Sequence, residues 1–124
     1  MTDRLLYVGG GRSDVPVLAG ELASWPSKEG MAVILRSAGL AVTVGRYSVR
    51  VEGRPHFTFQ QYGGDMGDPV IDANAESVSE LLAAAKPVSD ALGRARVVHR
   101  FELYDDAGGL AGYLHHGWPL PAGE

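Results

Sequence analysis

The sequence predicts an α+β fold: a mainly antiparallel sheet of about five strands, with two helices packed on one face. Three observations carry that prediction. Short runs of alternating apolar residues are closed off by Gly- and Pro-rich turns, among 17 glycines and 7 prolines. Two segments have helix-capping signals and helical apolar spacing. No β-α-β unit repeats with a Gly-rich phosphate turn, which removes the main reason to expect a parallel sheet. At 124 residues there is room for one domain, taken as 1–124, and for one core. The expected element order is β-α-β-β-α-β-β.

Arg4–Val8 reads as a strand stopped by Gly9-Gly10-Gly11. Val15-Pro16-Val17-Leu18 is not expected as a central strand, because Pro16 lacks the ladder donor. Residues 12–27 stay unassigned, and Trp25-Pro26 ends anything helical before it. Ser27 then caps a helix from Lys28 to Ala38, with Gly39 in the left-handed position and Leu40 folding back on Ile34 or Leu35.

From Ala41 to Glu52 the apolar positions change parity. Val42 and Val44 are even, whereas Tyr47, Val49 and Val51 are odd, so one strand with a β-bulge at Gly45 is expected. Glu52-Gly53-Arg54-Pro55 turns the chain, and His56–Gln61 returns with Phe57 and Phe59 facing in. Gly63–Asp72 reads as an acidic loop. The second helix begins at a capping box, Ser77-Val78-Ser79-Glu80, and presents Val78, Leu81, Leu82, Ala85, Val88 and Leu92 as one stripe. Pro87 is expected to kink or split it, and Gly93 to stop it. A hairpin follows, Arg96–Tyr104 and Leu110–His116. Centring its turn on Asp106–Gly109 sets His99 opposite His116 and Arg100 opposite His115, within one residue. Trp118-Pro119-Leu120-Pro121 is expected as an extended tail lying on the body.

Composition excludes several chemistries. Without cysteine there is no disulfide, thiolate nucleophile or Cys-based zinc site. The apolar runs are too short for a signal-peptide core or a membrane span, so a cytoplasmic protein with no membrane partner is expected. Lysine supplies only two of the 11 basic residues, which points to a GC-rich genome rather than to arginine-specific chemistry. The net charge of −4 is unevenly spread: Arg36, Arg46, Arg50 and Arg54 face a single acid, while Pro55–Ala85 has acids and no Lys or Arg.

The motifs that could carry catalysis are weak. Gly9–Ser13 lacks the spacing of a phosphate loop. Asp65, Asp68, Asp72 and Glu76 lack EF-hand spacing. His99, His115 and His116 are the clustered histidines and the candidates for a ligand or metal site, but the register sends His99 and His116 inward and His115 outward. No cofactor and no catalytic residue is expected, and an enzyme is the less favoured reading.

The outward sheet face is the stronger candidate. It would carry Arg46, Ser48, Arg50, His56, Thr58, Gln60, Arg100, Glu102, Tyr104, Tyr113 and His115. Arginine and tyrosine dominate interface hot spots, because they offer large area and directed hydrogen bonds. Arg46, Arg50, Arg100, Tyr104 and Tyr113 are therefore the expected partner-binding residues. The expectation is a non-enzymatic binding protein that inhibits or neutralises a protein partner or assembles with itself. In size, acidic charge and missing catalytic signature the chain is similar to many small bacterial inhibitor and immunity proteins, a likeness of composition that carries no site over. A metal- or ligand-dependent enzyme using the histidines is the first alternative. Single-stranded nucleic-acid binding on the Tyr/Arg face is the second, and the acidic total charge makes nucleic acid unlikely as a partner.

Overall fold

The computed structural model describes residues 15–53, 56–60 and 70–120. In chain order the elements are β1 (Val17–Leu22), α1 (Lys28–Ser37), β2 (Val42–Val44), β3 (Ser48–Val51), β4 (Phe57–Gln60), β5 (Val70–Asn74), α2 (Val78–Arg94), β6 (His99–Tyr104) and β7 (Leu110–His116). The fold is α+β, with a seven-stranded sheet in the order β2-β3-β4-β5-β1-β6-β7 and every neighbouring pair antiparallel. The sheet therefore has seven described strands rather than about five, and the order is β-α-β-β-β-β-α-β-β. The expected strand Arg4–Val8, the glycine turn after it, and most of the acidic loop lie outside the described residues.

β1 lies in the interior of the sheet, between β5 and β6, where the sequence argued against a central strand. The argument from Pro16 fails because the ladder starts one residue later, at Val17, and proline is tolerated just before a strand. The Pro16 carbonyl still takes part, accepting from the Ala75 N–H at 3.3 Å. Gly20 fits this crowded strand for lack of a side chain. A Cβ there would lie 3.0 Å from Phe101 Cδ1 and 3.1 Å from Ile71 Cβ.

The parity change at Gly45 marks a chain reversal, not a bulge. β2 and β3 form a hairpin with Val42 opposite Val51 and Val44 opposite Val49, and the Gly45 N–H closes the turn on the Ser48 carbonyl at 2.8 Å. Both readings put Val49 and Val51 inward, which is why periodicity alone could not separate them. They differ for Tyr47, expected inward and found in the turn, 51% exposed. Asp72, expected in a loop, sits in β5 opposite Ala19 and Thr58.

α1 is built as its caps predict. Ser27 Oγ accepts from the Gly30 N–H at 3.0 Å, Gly39 takes φ +86°, and the Leu40 N–H reaches the Leu35 carbonyl at 3.1 Å. α2 also keeps its cap, with Ser77 Oγ accepting from the Glu80 N–H at 3.1 Å. Glu80 reaches back to the Glu76 N–H, one residue before the expected partner. Pro87 does not split α2, because buried Leu81 and Ala85 before it and Val88 and Leu92 after it pack on one core. Leu82, placed in that stripe from sequence, is exposed. The helix also runs past Gly93 to Arg94, and Arg96 takes the positive-φ position at 61°.

Both helices cover one face of the sheet, against Leu18, Leu22, Val49, Val51, Phe57, Phe59, Ile71, Phe101 and Leu103. Three phenylalanines anchor this layer, with ring centroids of Phe57 5.8 Å from both Phe59 and Phe101. The other face of the sheet carries no helix among the described residues.

Candidate functional site: the outward sheet face

Cross-strand pairing places one row of outward residues across all seven strands: Tyr113, Glu102, Ala19, Asp72, Thr58, Arg50 and Thr43. The adjacent row runs from His115 through Arg100 to Glu21. The hairpin register matches the expectation, with His99 opposite His116 and Arg100 opposite His115. The pairing shifts by one residue between Leu103 and Tyr104, a bulge the sequence did not signal.

The side chains at the β6–β7 end are locked together. Arg100 forms a two-pronged ion pair with Glu21 on β1, its Nε donating to Oε1 at 2.7 Å and its Nη2 donating to the same oxygen. That hydrogen bond from Arg100 to Glu21 raises the guanidinium pKa, so the charge is permanent. The Trp118 indole lies over the guanidinium, 4.4 Å from Arg100 Cζ to the ring centroid. Trp118 gets there because Gly117 takes φ +70° and folds the chain back after β7. Two further contacts hold it: the Tyr113 hydroxyl donates to the Trp118 carbonyl, and the Trp118 N–H donates to His115 Nδ1 at 3.3 Å. The Tyr113 and His115 rings lie 5.5 Å apart. Tyr104 donates to Glu102 at 3.2 Å, and burial, with Glu102 beside it, pushes its phenol pKa up. The hydroxyl therefore stays a donor at neutral pH.

Other expected site residues are arranged differently. Arg50 is exposed on β3, with no hydrogen-bond or ionic partner among the described residues. Arg46 is not on the sheet face at all. The reversal at Gly45 carries it into the β2–β3 turn, where its carbonyl accepts from Lys28 Nζ at 2.6 Å and its guanidinium sits 5.7 Å from the Tyr47 ring.

His99 is fully buried beneath the sheet. Its Nδ1–H donates to the Val97 carbonyl at 2.9 Å, and its Nε2 accepts from the Ser89 hydroxyl at 2.7 Å. Desolvation lowers its pKa, against the raising effect of the Val97 carbonyl and with a smaller push down from His116 and His115. Both ring nitrogens of the neutral form are thus occupied. His116 shares the inward side with His99, and His115 faces out. Among the described residues no three His, Asp or Glu side chains are grouped to hold a metal ion.

The sequence reading missed two features. One is Trp118 as a member of the site, for which the signal was Gly117 ahead of an aromatic residue. The other is the His56–Asp72 pair, 2.9 Å apart on β4 and β5. An Asp can orient an imidazole this way for proton transfer, but no Ser or Thr hydroxyl is hydrogen-bonded to His56 among the described residues. No helix of the described residues is long and apolar enough to cross a membrane. Compared with protein-family models, with curated proteins and with solved structures, the chain finds no match.

Proposed function

We propose that the chain is a non-enzymatic protein-binding module that inhibits or neutralises its partner through the outward face of β6 and β7. One observation carries the reading. Arg100, Trp118 and Tyr113 form a half-exposed cluster that is already fixed by Glu21 and by the fold-back at Gly117. Binding costs less when the contacting side chains are held in place beforehand, and Trp, Tyr and Arg are the usual anchors. Tyr104 extends the patch on one side. Arg50, without a partner among the described residues, offers a charge to a carboxylate on the bound protein. Glu21, Glu102 and Asp72 on the same face repel a phosphate backbone, which weighs against nucleic acid. The alternative of a metal- or ligand-dependent enzyme is weakened by the histidines, because His99 has both nitrogens occupied in the core and His115 points the other way.

A photo-crosslinking residue at Ala111, beside the cluster, is expected to capture a protein partner in cells of the source organism, while the same residue at Leu82 on α2 captures none. With that partner in hand, Trp118→Ala should weaken binding by about 30-fold or more, and Arg50→Ala by less than about tenfold. Crosslinking only from Leu82, or a Trp118→Ala complex as tight as the wild type, would overturn the proposal.

A further inference from the structure

The sheet ends in two edges of opposite character. β2, at one end, is three residues long, and its outward Thr43 hydroxyl is engaged by Glu52 at 2.6 Å. Short edges of this kind resist pairing with another chain. β7, at the other end, runs for seven residues, Leu110–His116, with β6 as its single strand partner among the described residues. It contains no Asp, Glu, Lys, Arg or Pro, in a chain where 21% of residues are charged. Leu110 at its start is 51% exposed. In an antiparallel ladder every second residue of an edge strand turns its N–H and C=O away from the sheet. β7 thus offers an uncharged row of backbone donors and acceptors, regular from Gly112 to His116, with the bulge at Ala111 near its start as its one irregularity.

We infer that β7 pairs antiparallel with β7 of a second copy, joining two sheets into one across a two-fold axis. The strand is self-complementary in this arrangement. A two-fold at Tyr113 sets Tyr113 against its own copy and Gly112 against Leu114, so no Asp, Glu, Lys or Arg of the strand opposes another. It also brings the acidic hairpin turn, Asp105 and Asp106, toward the imidazole end of the other strand. The two Tyr113 side chains meet at the axis on the outward side, placing two Arg100–Trp118 clusters side by side on one continuous face. This inference rests on the edge of β7 and goes beyond the binding reading above, which needs only the face.

The test uses the purified full-length chain in light scattering and sedimentation equilibrium, at concentrations on the order of 100 μM, well above the micromolar range of a weak specific contact. The expected result is a mass twice that of the chain. Tyr113→Lys and Tyr113→Glu place like charges together at the axis, and each alone should weaken the dimer by at least about tenfold. Mixed in equal amounts they should restore it as a heterodimer, a rescue that misfolded variants could not give. Ala111→Lys, away from the axis, provides a second edge variant and should also dissociate the dimer. A wild-type chain that stays monomeric, including one whose own terminal residues occupy the β7 edge, would overturn the inference. So would a dimer indifferent to all three substitutions. A monomer that still crosslinks a foreign partner from Ala111 would reject the dimer and keep the binding module. A dimer with no such crosslink would do the reverse.

Discussion

Arg50 and Arg100 both stand on the outward face of one sheet, and their surroundings could hardly differ more. Arg100 is half-buried between Glu21 and the Trp118 ring. Arg50 is exposed, flanked on β2 and β4 by Thr43 and Thr58, side chains too short to reach around a guanidinium. The contrast continues through the sheet. Behind the Arg50 strand lie Val49, Val51, Phe57 and Phe59, all apolar and buried. Behind the Arg100 strand lies His99, with its hydrogen bonds to Ser89 and Val97. One end of the sheet is an apolar slab whose outward arginine has no hydrogen-bond or ionic partner among the described residues. The other has polar groups fixed on both sides. Specific recognition is best served by groups fixed in advance, and the scaffold that fixes them needs an apolar slab elsewhere.

The largest expected effect tests the slab. Phe59 is fully buried against Phe57 and Trp25, with ring centroids 5.8 and 6.1 Å away, and Phe59→Ala should cost about 3–5 kcal/mol in urea unfolding. Leu114→Ala, at the half-buried β7 edge, should fall at or below the low end of the range for buried leucines, about 2 kcal/mol. Equal losses at the two positions would mean that the core is evenly distributed and the comparison of the two ends is wrong.

Next in size is the polar interior. Ser89→Ala removes the donor to His99 Nε2 and leaves a buried acceptor unpaired, which should cost about 1–3 kcal/mol at pH 7.5. The pH dependence has a definite sign. The folded-state pKa of His99 lies below its unfolded value of about 6.5, so the unfolded chain takes up the proton first. Stability is therefore full above about pH 6.5 and declines as the pH falls toward the folded pKa. His116 and His115 lie near this ring and add a smaller push down on its pKa. Urea melts at pH 7.5 and 5.5 should show the loss in the wild type and a smaller one in His99→Leu. A wild type equally stable at both values would show that His99 is not held neutral.

Much of this was legible in the sequence because it is local. The caps of both helices, the inward Phe57 and Phe59, and the register of the β6–β7 hairpin each follow from residues within one or two turns of each other. The errors arose where local rules underdetermine tertiary structure. Periodicity could not separate a bulge from a reversal at Gly45, since Val49 and Val51 face inward in both. Pro16 argued against what is an interior strand of the sheet, because the rule depends on where the ladder begins. The Arg100 cluster was half legible: Arg100, Tyr104 and Tyr113 could be placed on one face, but Glu21 lies 79 residues away and nothing local ties it to Arg100. Trp118 was visible as an aromatic in a tail, and its position depends on the backbone turn at Gly117.

The smallest expected effect bears most directly on why the two arginines differ. The side chain of Glu21 is 55% exposed and that of Arg100 29% exposed, so water and salt screen their attraction. Glu21→Gln should therefore lower stability by less than about 1 kcal/mol, and by less still in high salt. Its effect on geometry should be larger than its effect on stability. Without the carboxylate, Arg100 keeps the Trp118 ring and the charge of Glu102 among the described residues, and its surroundings move toward those of Arg50. The readouts are the Arg100 Nε–H signal in NMR, which should lose its downfield position and its protection from exchange, and the Trp118 emission, which should change as the cation leaves the ring. A variant with full stability and a mobile Arg100 would show that Glu21 positions the anchor and holds nothing else together. A stability loss above about 2 kcal/mol would instead make the pair a clasp between β1 and β6, and the order at that end of the sheet would then be a requirement of folding before it is one of binding.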